Sequence, residues 1–391
     1  MKGEIFMGSV IIKNIGTLVS GDINKPVLDA TAIVIEDGLI KAVGGDELAS
    51  GTYDMVIDAK KTTVTPGFFD THVHTTIGDY GHRQKTVGFL ESELHGGVTT
   101  VISAGEAHMP GRPKDPAGVK AMAILASKSY YNAPPAGMKV HGGALILEKG
   151  LKEEDFKELQ EQGVWLVGEI GLGSVKDPEE AAVMVNWAHK YGFKVQMHTG
   201  GTSIPGSSTV TADDVIKTGP DVVSHLNGGP TAVSAMEAEK IMDNTNFALE
   251  IVQCGNPKMT DFICRKAKEK GMLGRIIFGN DAPSGTGIIP LGIIRNICQV
   301  SSVSEINPED AICMATGNPA GVYELNTGVI APGKEADIII MDTPMGSVGK
   351  DALEAIKEGD IPGISMVLIN GKVVVNKSRN TPPANVQAVI E

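Results

Sequence analysis

The residues with the clearest chemical potential stand in Asp70-Thr71-His72-Val73-His74, directly after the apolar run Val64-Thr65-Pro66-Gly67-Phe68-Phe69. Side chains alternate faces along a strand, so His72 and His74 share one face and Val73 takes the other. Two imidazoles on one strand face supply half of a metal site. Taken alone, a His-x-His in a half-buried strand is more often a pair bonded to backbone. Here Pro66-Gly67 stops the preceding unit, and the strand gives way to the polar stretch from Thr75 to Gly81. The histidines therefore end the first strand of a new unit, which is where a (β/α)8 barrel keeps its reacting groups.

Four more such residues end later strand-like stretches: Glu169 after Val167-Gly168, His198 after Gln196-Met197, His225 after Val223-Ser224, and Asp281 after Phe278-Gly279-Asn280. Four histidines and two carboxylates suit a borderline divalent ion such as Zn2+ or Fe2+, because imidazole binds both and carboxylate offsets the charge. Six donors exceed what one open catalytic zinc takes, and a glutamate spanning two ions with histidines on either side distributes them as a binuclear centre. Two ions sharing a water make it a hydrolytic nucleophile near neutral pH. Singly, His198 and His225 also read as core histidines and Glu169 as the partner of a lysine. Asp281 reads equally as a helix N-cap ahead of Ala282-Pro283. Their joint occurrence at strand ends favours the metal reading.

The elements that must position these groups are legible as an alternation. Strands are expected at 69–74, 98–103, 138–144, 164–169, 194–198, 221–225, 247–253 and 275–280, with amphipathic helices between them such as 153–162, 178–191 and 261–270. Eight such units in roughly 260 residues are the scale of a closed (β/α)8 barrel. Before them, short strands at 10–12, 32–35, 40–43 and 55–57, with an Asp37-Gly38 turn, predict an antiparallel β unit. Comparable strands return at 336–341, 365–369 and 372–375, the last two joined by Asn370-Gly371. Both termini are thus expected to build one small β-sandwich, from residues 1–66 and 327–391, around a barrel of residues 67–326. The polar, Gly/Pro-rich stretches 105–114 and 200–211 are candidate pocket walls.

Composition narrows the function classes. The 391 residues carry 34 Lys and Arg against 47 Asp and Glu, a net charge of −13, which disfavours nucleic acid or an anionic membrane as partner and leaves a small molecule. Cys254, Cys264, Cys298 and Cys313 show no Cys-x-x-Cys spacing, and no apolar leader precedes Val10, so a reduced, cytoplasmic protein is expected. His82, His95 and His189 read as solvated or structural. His108, in the first wall, and His141, near the end of the third strand, are possible substrate contacts.

The run from Val64 to His74, and Gly328-Val329-Ile330-Ala331-Pro332-Gly333-Lys334-Glu335-Ala336-Asp337 near the end, resemble the opening and closing signatures of the amidohydrolase superfamily of metal-dependent barrel hydrolases. The resemblance spans essentially the whole chain. The segments around Glu169-Ile170-Gly171-Leu172-Gly173, 198–208 and 279–287 look like a cyclic-amide-opening branch active in anaerobic nicotinate breakdown. That likeness implies hydrolysis of 6-oxo-1,4,5,6-tetrahydronicotinate to 2-formylglutarate and ammonia, a mixed zinc and iron centre, and a homo-oligomer, a tetramer. Another cyclic amidohydrolase, of the dihydroorotase, hydantoinase or imidazolonepropionase kind, is the alternative; a metal-free scaffold is a more distant one.

Many relatives bridge their ions with a carboxylated lysine where this chain has Glu169. Mononuclear deaminases carry a glutamate where it has Gly201, which counts against deamination of an aromatic base. On this footing His72, His74 and Asp281 are expected at one ion and His198 and His225 at the other, with Glu169 across both and Asp281 moving the proton. The substrate carboxylate would be received by Arg83, in the loop after the first strand, or by the turn Gly200-Gly201-Thr202-Ser203.

Overall fold

The computed structural model of the chain describes residues 8–75, 82–107, 111–202, 208–228, 231–282 and 289–391, with the backbone path alone for 82–87. Eight parallel strands occupy its centre: Phe68–Val73, Val98–Ser103, Lys139–His141, Leu166–Ile170, Lys194–Met197, Val222–Val223, Ala248–Val252 and Ile276–Gly279. They are numbered here as barrel strands 1 to 8. Strands 1 to 3 form one hydrogen-bonded run and strands 4 to 8 another, each pairing with the next in the chain. Two parallel bridges close the ring, Leu145 to Val167 between strands 3 and 4 and Val73 to Ala282 between strands 1 and 8. All eight expected strands are present.

The helices between them form for ordinary reasons. Pro178–Lys190 starts on Asp177, whose carboxylate accepts from the N–H groups of Glu179 and Glu180, and Pro178 occupies the first turn, where no N–H is missed. It buries Ala181, Met184, Val185 and Ala188, one helical stripe facing the strands. Pro257–Glu269 repeats the device with Asn256 as its cap and Met259, Ile263, Cys264 and Ala267 inside.

The remaining strands make two facing sheets. One runs Val389–Ile390, Met55–Asp58, Ser9–Lys13, Ala32–Glu36, Leu39–Gly44; the other Lys372–Asn376, Gly363–Ile369, Ile338–Asp342, Thr63–Pro66, Thr17–Val19, Val27–Leu28. Chain from both ends contributes to both sheets. Positive φ at Asp37 and Gly38 (49° and 80°) and at Asn370 and Gly371 (49° and 74°) gives two tight primed hairpin turns, matching the strand twist. The unit is not wholly antiparallel, as expected above, but mixed. Ser9–Lys13 pairs parallel with Met55–Asp58, and Thr17–Val19 with Thr63–Pro66. In each case the chain returns by a crossover rather than a hairpin, which forces the parallel sense.

Barrel and sandwich are tied by a buried cation. Lys139, on barrel strand 3, reaches Asp337 Oδ2 at 2.5 Å and Glu335 Oε2 at 2.6 Å, while Asp337 also accepts from Thr327 Oγ1 and the Asn370 N–H. Lys139→Met removes the charge that balances a wholly buried carboxylate, so the urea midpoint should fall by the equivalent of about 3 kcal/mol. An unchanged midpoint would show that the hydroxyl and amide donors suffice.

Candidate active site

Barrel strand 1 is the direct continuation of Thr63–Pro66, which is clamped between Ile338–Asp342 and Thr17–Val19, so the sandwich sets where the histidine strand enters the barrel. At its carboxyl end His72 and His74 turn into the ring, both buried. The Asp281 N–H donates to His72 O at 2.9 Å and the His74 N–H to Ala282 O at 2.8 Å, stitching strand 8 alongside. Gly279 makes this close approach possible, since a Cβ there would lie 2.5 Å from His72 Cβ.

The six residues from five strands converge as two groups of three donors, His72, His74 and Asp281, and Glu169, His198 and His225, each compact enough to hold one metal ion. Glu169 faces both. Its Oε2 lies 3.4 Å from His72 Nε2 and 3.6 Å from His74 Nε2, and its Oε1 lies 2.7 Å from His225 Nε2 and 3.7 Å from His198 Nδ1. Asp281 Oδ1 is 3.2 Å from His74 Nε2 and 3.6 Å from His72 Nε2. His198 Nδ1 and His225 Nε2 approach to 3.0 Å.

Both His225 and Asp281 sit at positive φ, 34° and 56°. Such backbone is uncommon for residues with a Cβ and persists where the surroundings over-determine it, as at a working site.

The carboxylates of the donor set favour positive charge beside them. Burial disfavours charge on His72, yet Glu250, Glu169 and Asp281 outweigh it and hold its pKa well above the imidazole norm. Burial likewise opposes charge on His74 and His225, but their carboxylate neighbours raise both. Glu169, despite its burial, is held well below the carboxylate norm by His72 and His225, and Asp281 is also lowered against burial, by His72 and His74. His198 goes the other way, pushed down by burial and by His225. His72 Nε2, the atom aimed at Glu169 and Asp281, is buried with no hydrogen-bond partner. Imidazole nitrogens and carboxylate oxygens gathered this closely fit divalent ions.

These donors, and the closed barrel that carries them, belong with a known group. An amidohydrolase family model matches residues 63–374. The chain belongs to the amidohydrolase family. This amidohydrolase is 70% identical to enamidase of Eubacterium barkeri over 385 residues, 98% of this chain and 100% of that protein. The crystal structure of enamidase superposes with a TM-score of 0.95 over 98% of this chain and 100% of that one. A dihydroorotase of Clostridioides difficile is 23% identical over 88% of this chain and 95% of its own length. As a member of this family the amidohydrolase is a hydrolase of carbon–nitrogen bonds.

Other expectations change. Arg83 lies in the helix His82–Leu94 rather than in a loop, because the helix starts sooner after strand 1 than the polar sequence suggests; its side chain, like Ser203 and His108 entirely, lies outside the described residues. Gly200 spends its N–H on Val210 O at 3.2 Å, in an antiparallel bridge across its own loop, so that donor is not offered to an anion. Gly201 and Thr202 remain at the edge of that loop.

His141 does not join the six. It packs edge-on against Trp165 and lines a cavity of about 250 Å3 with Lys139, Asn326 and Glu335, where burial and Lys139 push its pKa down to about 3. His189 bonds Asp221 at 2.9 Å, a structural role. No helix among the described residues is long and apolar enough to cross a membrane.

Two groups escaped the sequence reading. Glu250 on strand 7 touches both donor groups, and its only signal was a lone carboxylate within Ala248-Leu249-Glu250-Ile251-Val252. Behind strand 1, Asp70 accepts from the N–H groups of His72 and Asn280, and Glu93 accepts from the Asn280 side chain. Burial raises both acids, Asp70 to about 6, and the neighbouring Asp70 raises Glu93 further. They brace the donor His72 and Asn280, the residue just before the donor Asp281.

Proposed function

We propose that this amidohydrolase opens the ring amide of 6-oxo-1,4,5,6-tetrahydronicotinate, giving 2-formylglutarate and ammonia. The 70% identity to enamidase over nearly the full chain carries the reading, and the paired donor groups support it. In this reading His72, His74 and Asp281 hold one ion, His198 and His225 the other, and Glu169 lies across both, with Zn2+ and Fe2+ as the pair. Bound ions would supply Lewis acidity to the amide carbonyl and acidify the attacking water. A sandwich of residues 1–66 and 327–391 around a barrel of 67–326 is the matching domain division.

The chain's own residues do the rest. Asp281, ionised at neutral pH by its neighbours, accepts the proton that water gives up on adding to the carbonyl. It returns that proton to the ring nitrogen as the carbon–nitrogen bond breaks. The freed enamine then takes up a second water and releases ammonia, leaving the aldehyde. The buried strand ends exclude bulk water around Asp281 and Glu169, so each interaction there is stronger than at the surface.

The substrate carboxylate is read by a cation or amide-rich turn at the barrel mouth, with Arg83 and Gly201 to Ser203 as the candidates. Hydrolysis should be followed by ammonia release with the acid and with its uncharged carboxamide, in the unaltered protein and in Arg83→Ala. The acid is expected to be preferred by about thirty- to a hundredfold in kcat/KM, the worth of a charge-assisted pair shielded from water. Equal rates would remove the carboxylate requirement, a preference that survives Arg83→Ala would move recognition to the turn, and no turnover of either compound would overturn the reaction assigned here.

A further inference from the structure

The donors discussed so far come from strands 1, 4, 5 and 6 and from the end of strand 8. Strand 7 supplies none, yet it places a fully buried carboxylate against both groups. Glu250 Oε2 accepts from the Nδ1–H of His72 at 2.7 Å and from the backbone N–H of His225 at 3.1 Å. Its Oε1 accepts from the Thr71 hydroxyl at 2.5 Å, and that hydroxyl also lies 2.9 Å from Phe278 O. One side chain thus grips the ring of a donor in the first group and the main chain of a donor in the second.

The two grips differ in kind. At His72 the bond places the ring proton on Nδ1 and leaves the Nε2 lone pair facing Glu169 and Asp281; an anion behind an imidazole also makes it a stronger ligand and stops the ring from turning. His74, at the end of the same strand, has a neutral carbonyl in that position, Gly105 O at 2.6 Å. At His225 the accepted proton belongs to the peptide of a residue at φ 34°, and a buried oxygen placed to receive it helps to hold that backbone.

We infer that Glu250 is a positioning residue for the metal centre, strengthening His72 as a ligand through its charge and fixing His225 through its shape. Loss of the charge alone therefore weakens one ion, and loss of the side chain weakens both. The inference rests on the two-ion reading proposed above.

Glu250→Gln and Glu250→Ala separate the two effects in the full chain. Glutamine keeps one oxygen for the two N–H donors and turns its amide to Thr71, whose hydroxyl retains Phe278 O, so the fold is kept. Each protein is stripped with a chelator, melted without metal, and titrated with Zn2+ against a chromophoric competitor. The unaltered chain is expected to take two Zn2+. Glu250→Gln should melt as the unaltered apoprotein does and bind one of the two Zn2+ roughly 10- to 100-fold more weakly. Glu250→Ala should weaken both. With Co2+ as the probe, the visible bands of the weakened ion in Glu250→Gln should shift as its donor strength falls. Wild-type affinity for both ions in Glu250→Gln, or weakening of both in step with a lower apoprotein melting temperature, would overturn the inference. An unaltered chain that takes fewer than two Zn2+ would overturn the two-ion reading itself, and the inference with it.

Discussion

Glu169→Gln, purified anaerobically with zinc and ferrous iron in excess, is expected to carry at most one ion per chain, and the unaltered protein is expected to carry two. The two oxygens of Glu169 divide between the groups, Oε2 toward His72 and His74 and Oε1 toward His225 and His198. An amide in their place keeps the shape, but it removes the charge that lies between the two groups and turns one acceptor into a donor aimed at an ion. The second group suffers more, because Glu169 is its only carboxylate whereas the first keeps Asp281. Activity should fall about a thousandfold or more, since chemistry that depends on two cations is left with one. Elemental analysis decides the matter, and two ions retained in Glu169→Gln would show that the glutamate does not span the centre.

Asp281→Asn should behave in the opposite way, staying largely loaded but nearly inactive. Asp281 lies against the first group through Oδ1, so its replacement leaves His72, His74 and Glu169 to hold that ion. What is lost is the proton acceptor. General acid–base groups contribute roughly a hundred- to ten-thousandfold, and here one carboxylate serves both water and leaving nitrogen, so kcat should drop toward the upper end of that range. KM should move little. Near-normal turnover in Asp281→Asn would take the proton role away from this residue.

The fold and the donor set were legible for a local reason. Strand alternation has period two, so His72 and His74 had to share a face, and the other four donors announced themselves by closing apolar strand-like stretches. Eight alternating units leave few arrangements besides a closed parallel barrel, and the chain has that barrel. The family signatures at Val64 to His74 and Gly328 to Asp337 are likewise contiguous runs, readable without any contact.

Only the tertiary structure decided which groups meet across the ring. The division of Glu169's oxygens depends on strand tilt and on chain returning from 29 and 56 residues further on at His198 and His225, and nothing within a few residues of Glu169 encodes it. Glu250 meets His72 across 178 residues, so a lone carboxylate in an apolar strand had no visible partner. The parallel pairing of Ser9–Lys13 with Met55–Asp58 was hidden in the same way, because a short alternating strand looks alike in either sense until the path of the connection is known. Gly200 seemed free to bind an anion until Val210, ten residues on, claimed its N–H, and only the returning C-terminal chain sets His141 beside a cavity with Glu335 and Asn326, apart from the six. Side-chain type and periodicity act over a few residues and specify the inventory; register and closure act over hundreds and specify who faces whom.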